Sequence, residues 1–266
     1  MSTLIVIPAR YASTRYPGKP LVEIAGAGGV KKSLIQRSWE AAQAVSGEAR
    51  VVVATDDTRI SDAAKGFGAE VVMTSEACVN GTERCAEVVD TLGDEFELVV
   101  NLQGDAPLTP PWFVEALVKG LREAPEFDLA TPVLRCDGAT LASFRKDRAA
   151  GRVGGTTAIF GAGNRAMYFS KEVIPFCAED FAPEAETPVF HHVGCYAYRP
   201  DTLRAYAKWP QGPLEQLEGL EQLRFLENAR PVLCVQVEAP GRVFWELNNP
   251  TDLPLIEAAL AAIGQE

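Results

Sequence analysis

The sequence predicts an α/β fold, a mostly parallel central sheet with helices on both faces, plus an inserted smaller β-containing lobe. Three observations carry this prediction. Short apolar runs alternate with helix-patterned segments through the first half of the chain. Two of those runs, Leu4–Ile7 and Leu98–Leu102, end in polar, glycine-bearing loops of the kind that collect ligands beyond strand ends. The chain has 266 residues, 47% hydrophobic and 23% charged, enough for one large domain with an insertion. No internal repeat or linker interrupts it. One domain over 1–266, with the lobe near 135–200, is expected.

Taken in order, residues 3–8 read as a strand and 31–45 as a helix. Val51–Ala54 is a strand, followed by a helix over 57–67 opened by Asp56 and Asp57. Glu70–Met73 is a strand. Asn80-Gly81-Thr82-Glu83 fits a helix N-terminus, with Asn80 as the cap and Glu83 three residues on. Leu98–Leu102 is a strand that leads to a proline-started helix near 110–123. Further strands are expected at 128–135 and 157–169, with turns at Gly151–Gly155 and Gly161–Gly163. The stretch 176–190, with Pro183, Pro188 and several acids, reads as a loop. A strand at 193–198, a helix at 213–228, a strand at 231–237 and a helix at 250–263 close the chain.

Composition excludes several functions. The net charge of −11 argues against a general nucleic-acid binder, which needs a basic face. No apolar run approaches the roughly 20 residues of a membrane span, and no secretory signal is visible. The six cysteines form no Cys-x-x-Cys pair. Reduced core thiols in a cytoplasmic protein are expected, not a disulfide framework or a zinc site.

The chemistry concentrates in a few places. An apolar strand stops at Pro8 and runs into a loop holding Arg10, Arg15 and Lys19 with Ser13, Thr14 and Gly18. Forked Arg donors, a Lys point charge and a glycine that lets backbone N–H groups approach oxygen suit a polyphosphate. Asp105 closes another apolar strand, where a carboxylate can hold Mg²⁺ against substrate phosphates; an Asp after Gly at a strand end is equally a turn or cap residue. Leu214, Leu217, Leu220 and Leu223 recur at a spacing that predicts one buried helix face, with acids and amides elsewhere. His191 and His192 are the only histidines. Adjacent strand residues point to opposite faces, so one is expected toward a ligand and the other toward solvent. Gly26-Ala27-Gly28-Gly29 does not complete a dinucleotide-binding loop.

Together these pieces resemble the 3-deoxy-manno-octulosonate cytidylyltransferases, also called CMP-Kdo synthetases. The resemblance runs in order over nearly the whole chain. It is carried by Ile7-Pro8-Ala9-Arg10-Tyr11-Ala12-Ser13-Thr14-Arg15 with Pro17-Gly18-Lys19-Pro20, Val53-Ala54-Thr55-Asp56-Asp57, Gly81-Thr82-Glu83-Arg84 and Gln103-Gly104-Asp105. Met167-Tyr168-Phe169-Ser170, His192-Val193-Gly194-Cys195-Tyr196, Pro213-Leu214-Glu215 and Leu220-Glu221-Gln222-Leu223-Arg224 continue it. The resemblance implies a Rossmann-like nucleotidyltransferase fold and transfer of CMP from CTP to a 2-keto sugar acid. By it, Arg10 and Lys19 hold the triphosphate, and Asp105 and Asn248 the magnesium. Ala9, Asn80, Gly81, Thr82, Arg84 and Gln103 line the nucleotide site. Arg15, Gln103, His192, Tyr196, Glu221 and Gln222 hold the sugar acid. CTP, the sugar acid and a second copy in a homodimer are the implied partners, with no nucleic acid and no membrane.

The chain departs from the family in three places. Ala106 replaces the Glu that follows Gln-Gly-Asp, and Gly151–Ile159 lacks the lysine that precedes Tyr-Phe-Ser. Asn248 stands where the second metal carboxylate belongs, with Glu246 two residues back on the same strand face. Three readings stay open from sequence: a cytidylyltransferase for Kdo or a close relative, a nucleotidyltransferase for another sugar acid, and a catalytically impaired sugar-nucleotide-binding homologue.

Overall fold

The first strand divides the interior in two. In β1 (Ser2–Ala9), Leu4 and Val6 face one core while Ile5 and Ile7 face another. All four are fully buried. This is the pattern of a strand in a sheet covered by helices on both sides. The computed structural model describes residues 2–12, 16–93, 95–105, 107–153, 155–239, 247 and 249–265.

After β1 come β2 (Glu23–Ala25), β3 (Lys31–Ser33), α1 (Leu34–Gln43), β4 (Ala49–Thr55), α2 (Thr58–Gly66), β5 (Glu70–Met73), α3 (Gly81–Leu92), β6 (Phe96–Leu102) and α4 (Pro111–Glu123). The second half holds β7 (Leu129–Asp137), α5 (Gly138–Ala149), β8 (Thr156–Phe160), β9 (Ala166–Ser170), β10 (Glu186–His192) and β11 (Cys195–Tyr198). It closes with α6 (Pro200–Tyr206), α7 (Pro213–Glu218), α8 (Leu223–Glu227), β12 (Val232–Gln236) and α9 (Leu253–Ala262).

Strands β5-β4-β1-β6-β11-β7-β10-β8-β9 form one sheet in that order, and β12 pairs with β7. The pairings β5–β4, β4–β1, β1–β6 and β12–β7 are parallel. The α3 side chains Cys85, Val88 and Val89 pack on one face, and Ile35 of α1, Ile60 of α2 and Val114 of α4 on the other. Strands β10 and β11 act as one long strand along β7, broken at Val193-Gly194. Beyond the break the partners diverge: β11 pairs with β6, and β10 pairs with β8. The cavity described below opens at this divergence and at the carboxyl ends of β1 and β6.

The helix starts follow the capping residues. Ser33, Asp57, Asn80 and Asp137 each accept a backbone N–H of the first turn, Asn80 from Glu83 at 2.8 Å. Three expectations fail. The helix expected from residue 31 starts at Leu34, because Lys31–Ser33 pairs with Glu23–Ala25 instead. The loop expected over 176–190 gives way at Glu186 to β10, whose partners β7 and β8 supply a ladder for it. The single helix expected over 213–228 is two short ones, parted at Gly219, whose φ of 62° lies in the left-handed region that glycine tolerates. Hence the leucines share no buried face: Leu223 is fully buried, while Leu217 is 83% exposed. Helices α5 and α6 carried no sequence expectation.

Gly104, just past β6, lies against the end of β1. A Cβ there would stand 2.9 Å from the carbonyl oxygen of Pro8. Backbone cannot move aside as a side-chain tip can, so Gly104→Ala is expected to cost about 1–3 kcal/mol. Equilibrium urea unfolding reads this as a lower midpoint, and an unchanged midpoint refutes the close approach.

Candidate active site

A cavity of about 790 Å³ opens beyond the ends of β1 and β6, where ligands bind in sheets of this kind. One end is built from the two loops singled out in the sequence. The Lys19 ammonium donates to Asp105 Oδ2 at 2.7 Å, joining the first loop to the end of β6. The other Asp105 oxygen, Oδ1, is buried and has no partner among the described residues. Ala9 and the exposed Arg10 line the same end, and Arg10 also donates to the Val79 carbonyl at 3.5 Å. The loop itself is pinned by the Gly18 N–H, which donates to the Tyr11 carbonyl at 3.0 Å.

The α3 N-terminus forms a second wall. Asn80 and Gly81 line the cavity. Thr82 does not face it: its N–H donates to Glu221 Oε2, and its hydroxyl pairs with that of Tyr198 at 2.8 Å. Arg84 lines the cavity, but its guanidinium is already engaged by Thr74 and by Asp56 at 3.0 Å. Thr82 therefore supports this wall from behind, while Arg84 lines it with its guanidinium tied back to Thr74 and Asp56.

The opposite end holds Gln103, His192, Tyr196, Glu221 and Gln222, which the fold brings to one cavity from β6, β10, β11 and the α7–α8 turn. Gln103 Nε2 donates to Glu221 Oε1 at 2.9 Å. Glu221 thus takes one donor from the α3 N-terminus and one from the end of β6. Burial pushes its carboxyl above the ordinary range. The Tyr196 hydroxyl donates to Gln222 Oε1 at 3.1 Å, while Gln222 Nε2 is buried without a partner among the described residues. Behind this turn, the Arg224 guanidinium makes a forked pair with Glu215 at 2.6 and 2.8 Å and reaches Glu83 at 3.0 Å.

Both histidines line the cavity, against the expectation that one would face solvent. His191 packs edge-on against Phe144, and His192 between Phe169 and Tyr196. Burial lowers both rings, His192 to about 3, so each is neutral near pH 7. Cys195 is fully buried, and its thiol is pushed up to about 12, so it forms no nucleophilic pair with His192.

Arg15, Glu246 and Asn248 lie outside the described residues, as does Ala106. Sequence reasoning missed Lys171, Asn249 and Asp252, which also line the cavity. The Lys171 ammonium lies against Gly219, 2.9 Å from where a Cβ would stand, and makes no ion pair among the described residues. Only the fold brings the end of β9 to the α7–α8 turn: Glu218 accepts from Ser170 Oγ at 2.6 Å and from the Lys171 N–H at 2.9 Å. Among the described residues, no group of three or more His, Cys, Asp or Glu side chains is arranged to hold a metal. No described helix is long and apolar enough to cross a membrane.

Glu221 gives a test of this electrostatic picture. A carboxyl raised above its unfolded value favours the folded state when protonated, and that stabilisation is lost as the pH rises through the folded value. Glu221→Gln removes the titrating group but sets an amide N–H against the Thr82 or Gln103 donor, so it is expected to lower the thermal midpoint near pH 5 by about 2–4 °C, the shift that roughly 1 kcal/mol produces in a chain this long. The loss should shrink toward pH 8, where the native carboxyl carries its burial penalty. Scanning calorimetry over this range checks it; a loss equal at every pH contradicts it.

Comparison with known proteins adds the lineage. The cytidylyltransferase family profile matches residues 4–232. A 3-deoxy-manno-octulosonate cytidylyltransferase from Maricaulis maris is 46% identical over 265 residues, covering 100% of this chain and 99% of its own. An 8-amino-3,8-dideoxy-manno-octulosonate cytidylyltransferase from Shewanella pealeana is 40% identical, covering 98% and 99%. A solved CMP:2-keto-3-deoxy-manno-octonic acid synthetase complexed with CTP superposes with a TM-score of 0.82 at 36% identity, covering 98% of this chain and 99% of that one. End-to-end likeness at these identities makes the chain a nucleotidyltransferase, and it belongs to the 3-deoxy-manno-octulosonate cytidylyltransferase family.

Proposed function

We propose that the protein is a magnesium-dependent cytidylyltransferase that transfers CMP from CTP to the anomeric hydroxyl of a 2-keto-3-deoxy sugar acid, Kdo or a close relative. The observation that carries this reading is the Lys19–Asp105 pair at 2.7 Å, with Asp105 Oδ1 buried and partnerless. A cation and an oxygen ligand side by side at a strand end match a metal-bound triphosphate. A spare carboxylate oxygen fits Mg²⁺, which takes one or two carboxylates together with phosphate oxygens. Asp105 would hold the ion, with Asn248 as the second ligand implied by family position. Bound there, Mg²⁺ neutralises phosphate charge.

The chain's own residues do the rest. Lys19 and Arg10 bind the phosphates, and Ala9, Asn80 and Gly81 wall the nucleoside. At the other end Lys171 offers an unpaired ammonium to the acid's carboxylate, alongside Arg15 by family position. Gln222 Nε2 offers a donor, and Glu221 and His192 offer acceptors. The sugar hydroxyl oxygen bonds to the α-phosphorus as the bond to the β-phosphate oxygen breaks. Pyrophosphate leaves and the hydroxyl proton is lost to water. Such transfers depend on in-line positioning and charge stabilisation more than on acid–base groups of the protein.

Pyrophosphate release from CTP, measured with Mg²⁺ and a panel of 2-keto-3-deoxy sugar acids that includes 8-amino-Kdo, tests the reaction and picks the acceptor. CTP binding with no release for any acceptor would replace the enzyme by a binding protein. Asp105→Asn should lower turnover by roughly 10²–10³-fold, the usual loss for one charge-stabilising contact. Lys19→Met should weaken CTP binding in calorimetry without sugar, and weakened sugar-acid binding alone would move Lys19 to the other end of the cavity.

A further inference from the structure

Thr131 lies in the middle of β7, fully buried, two residues from the position opposite His192. Its Oγ1 is 2.8 Å from His192 Nε2, 2.9 Å from the Cys195 carbonyl oxygen and 3.4 Å from that of Val193. A threonine hydroxyl has one hydrogen to give and two lone pairs to receive with. The two carbonyls can only accept, so the single proton goes to them, and the nearer is Cys195. The lone pairs are then what His192 meets, and a 2.8 Å contact there closes only if Nε2 carries a hydrogen. The opposite arrangement would set the Cys195 carbonyl against a hydroxyl lone pair at 2.9 Å.

Burial between Phe169 and Tyr196 keeps the ring neutral, so it has one N–H, and Nδ1 carries a lone pair. Nδ1 has no partner among the described residues, and the ring lines the cavity.

We propose that Thr131 is a positioning residue: it fixes His192 as the Nε2–H tautomer and so presents Nδ1 to the cavity as an acceptor for a substrate hydroxyl. The proposal rests on the reading that a polyhydroxy acid occupies this end. It gives the site a chemical preference. A hydroxyl donor is welcomed at Nδ1, whereas a carboxylate or phosphate oxygen meets a lone pair and is turned toward the cations instead. A deoxy analogue at that carbon leaves the acceptor unpaired and is disfavoured.

The test uses the whole unliganded enzyme labelled with ¹⁵N-histidine. The chain has only two histidines, so the two rings are separable with one His191→Gln control. Long-range ¹H–¹⁵N correlation should show His192 protonated at Nε2 and bare at Nδ1. A bare Nε2 overturns the proposal whatever the acceptor proves to be. Thr131→Val keeps the shape and removes the hydroxyl, so the ring should move to a tautomer mixture. The KM for the sugar acid should rise about tenfold, with the KM for CTP unchanged. Thr131→Ser should restore both readouts, which a role in packing alone would not produce. Unchanged sugar-acid KM in Thr131→Val overturns the positioning role. Wild-type spectra showing Nε2–H together with no turnover of any keto-sugar acid would support the tautomer and overturn the substrate reading, so the two failures are distinguishable.

Discussion

The site is organised around the buried carboxylate of Glu221. It receives the Thr82 N–H at the start of α3 and the Gln103 amide at the end of β6, and so fixes the distance between the two cavity walls. Neither donor belongs to the turn that carries Glu221, so the hydrogen bonds span three separate parts of the chain. Two residues before Glu221, Gly219 in the left-handed region ends α7. The turn is then held from behind by Arg224 on Glu215 and Glu83, and from the side by Glu218 on β9. Removing one partner of a buried charged set leaves the others uncompensated, so this corner is costly to alter piecemeal.

The same accounting explains which parts were legible in the sequence. β1, β4 and β6 are apolar on both faces, and their short β-branched runs leave no competing reading. Asn80 and Glu83 announced the start of α3, and the structure uses Asn80 as its cap. The loop after β1 and Asp105 were readable because charges stand out against an apolar strand. What failed was set by distant chain. Lys31–Ser33 continues a helical pattern, but the partner at Glu23–Ala25 takes it into a hairpin. The leucine spacing at 214–223 looks like one helix face until Gly219 breaks it. Lys171 was invisible because nothing in Ser170-Lys171-Glu172 signals that the turn at Gly219, 48 residues on, will lie beside it. Thr82 was assigned to the ligand by its neighbours, yet its side chain looks inward to Tyr198.

Charge is distributed with economy. The chain carries a net charge of −11, yet the cavity gathers Arg10, Lys19 and Lys171 at its two ends. Between them lie amides, hydroxyls and imidazoles held by neighbours, with the Glu221 carboxyl and the Arg84 guanidinium tied to theirs. An acidic exterior repels anions in general, so an anionic ligand is retained only where specific cations and donors meet it. The Lys19–Asp105 pair balances two opposite charges in the free protein. A ligand that brings both phosphates and a cation can exchange partners with each member of the pair without leaving either charge alone.

The break at Val193-Gly194 has an evolutionary consequence. On one side of it β11 stays with β6 and the loops that carry Lys19 and Asp105; on the other, β10 leaves with β8 and β9, which carry Lys171. The cations at the two ends of the cavity therefore hang from different branches of one forked sheet, while Gln103 and Tyr196 reach the Lys171 end from the β6–β11 branch. Substitutions along β8 and β9 can remodel one pocket while the strands beneath the other keep their register. A lineage built on this fork can change what it accepts without relearning how to hold what it donates.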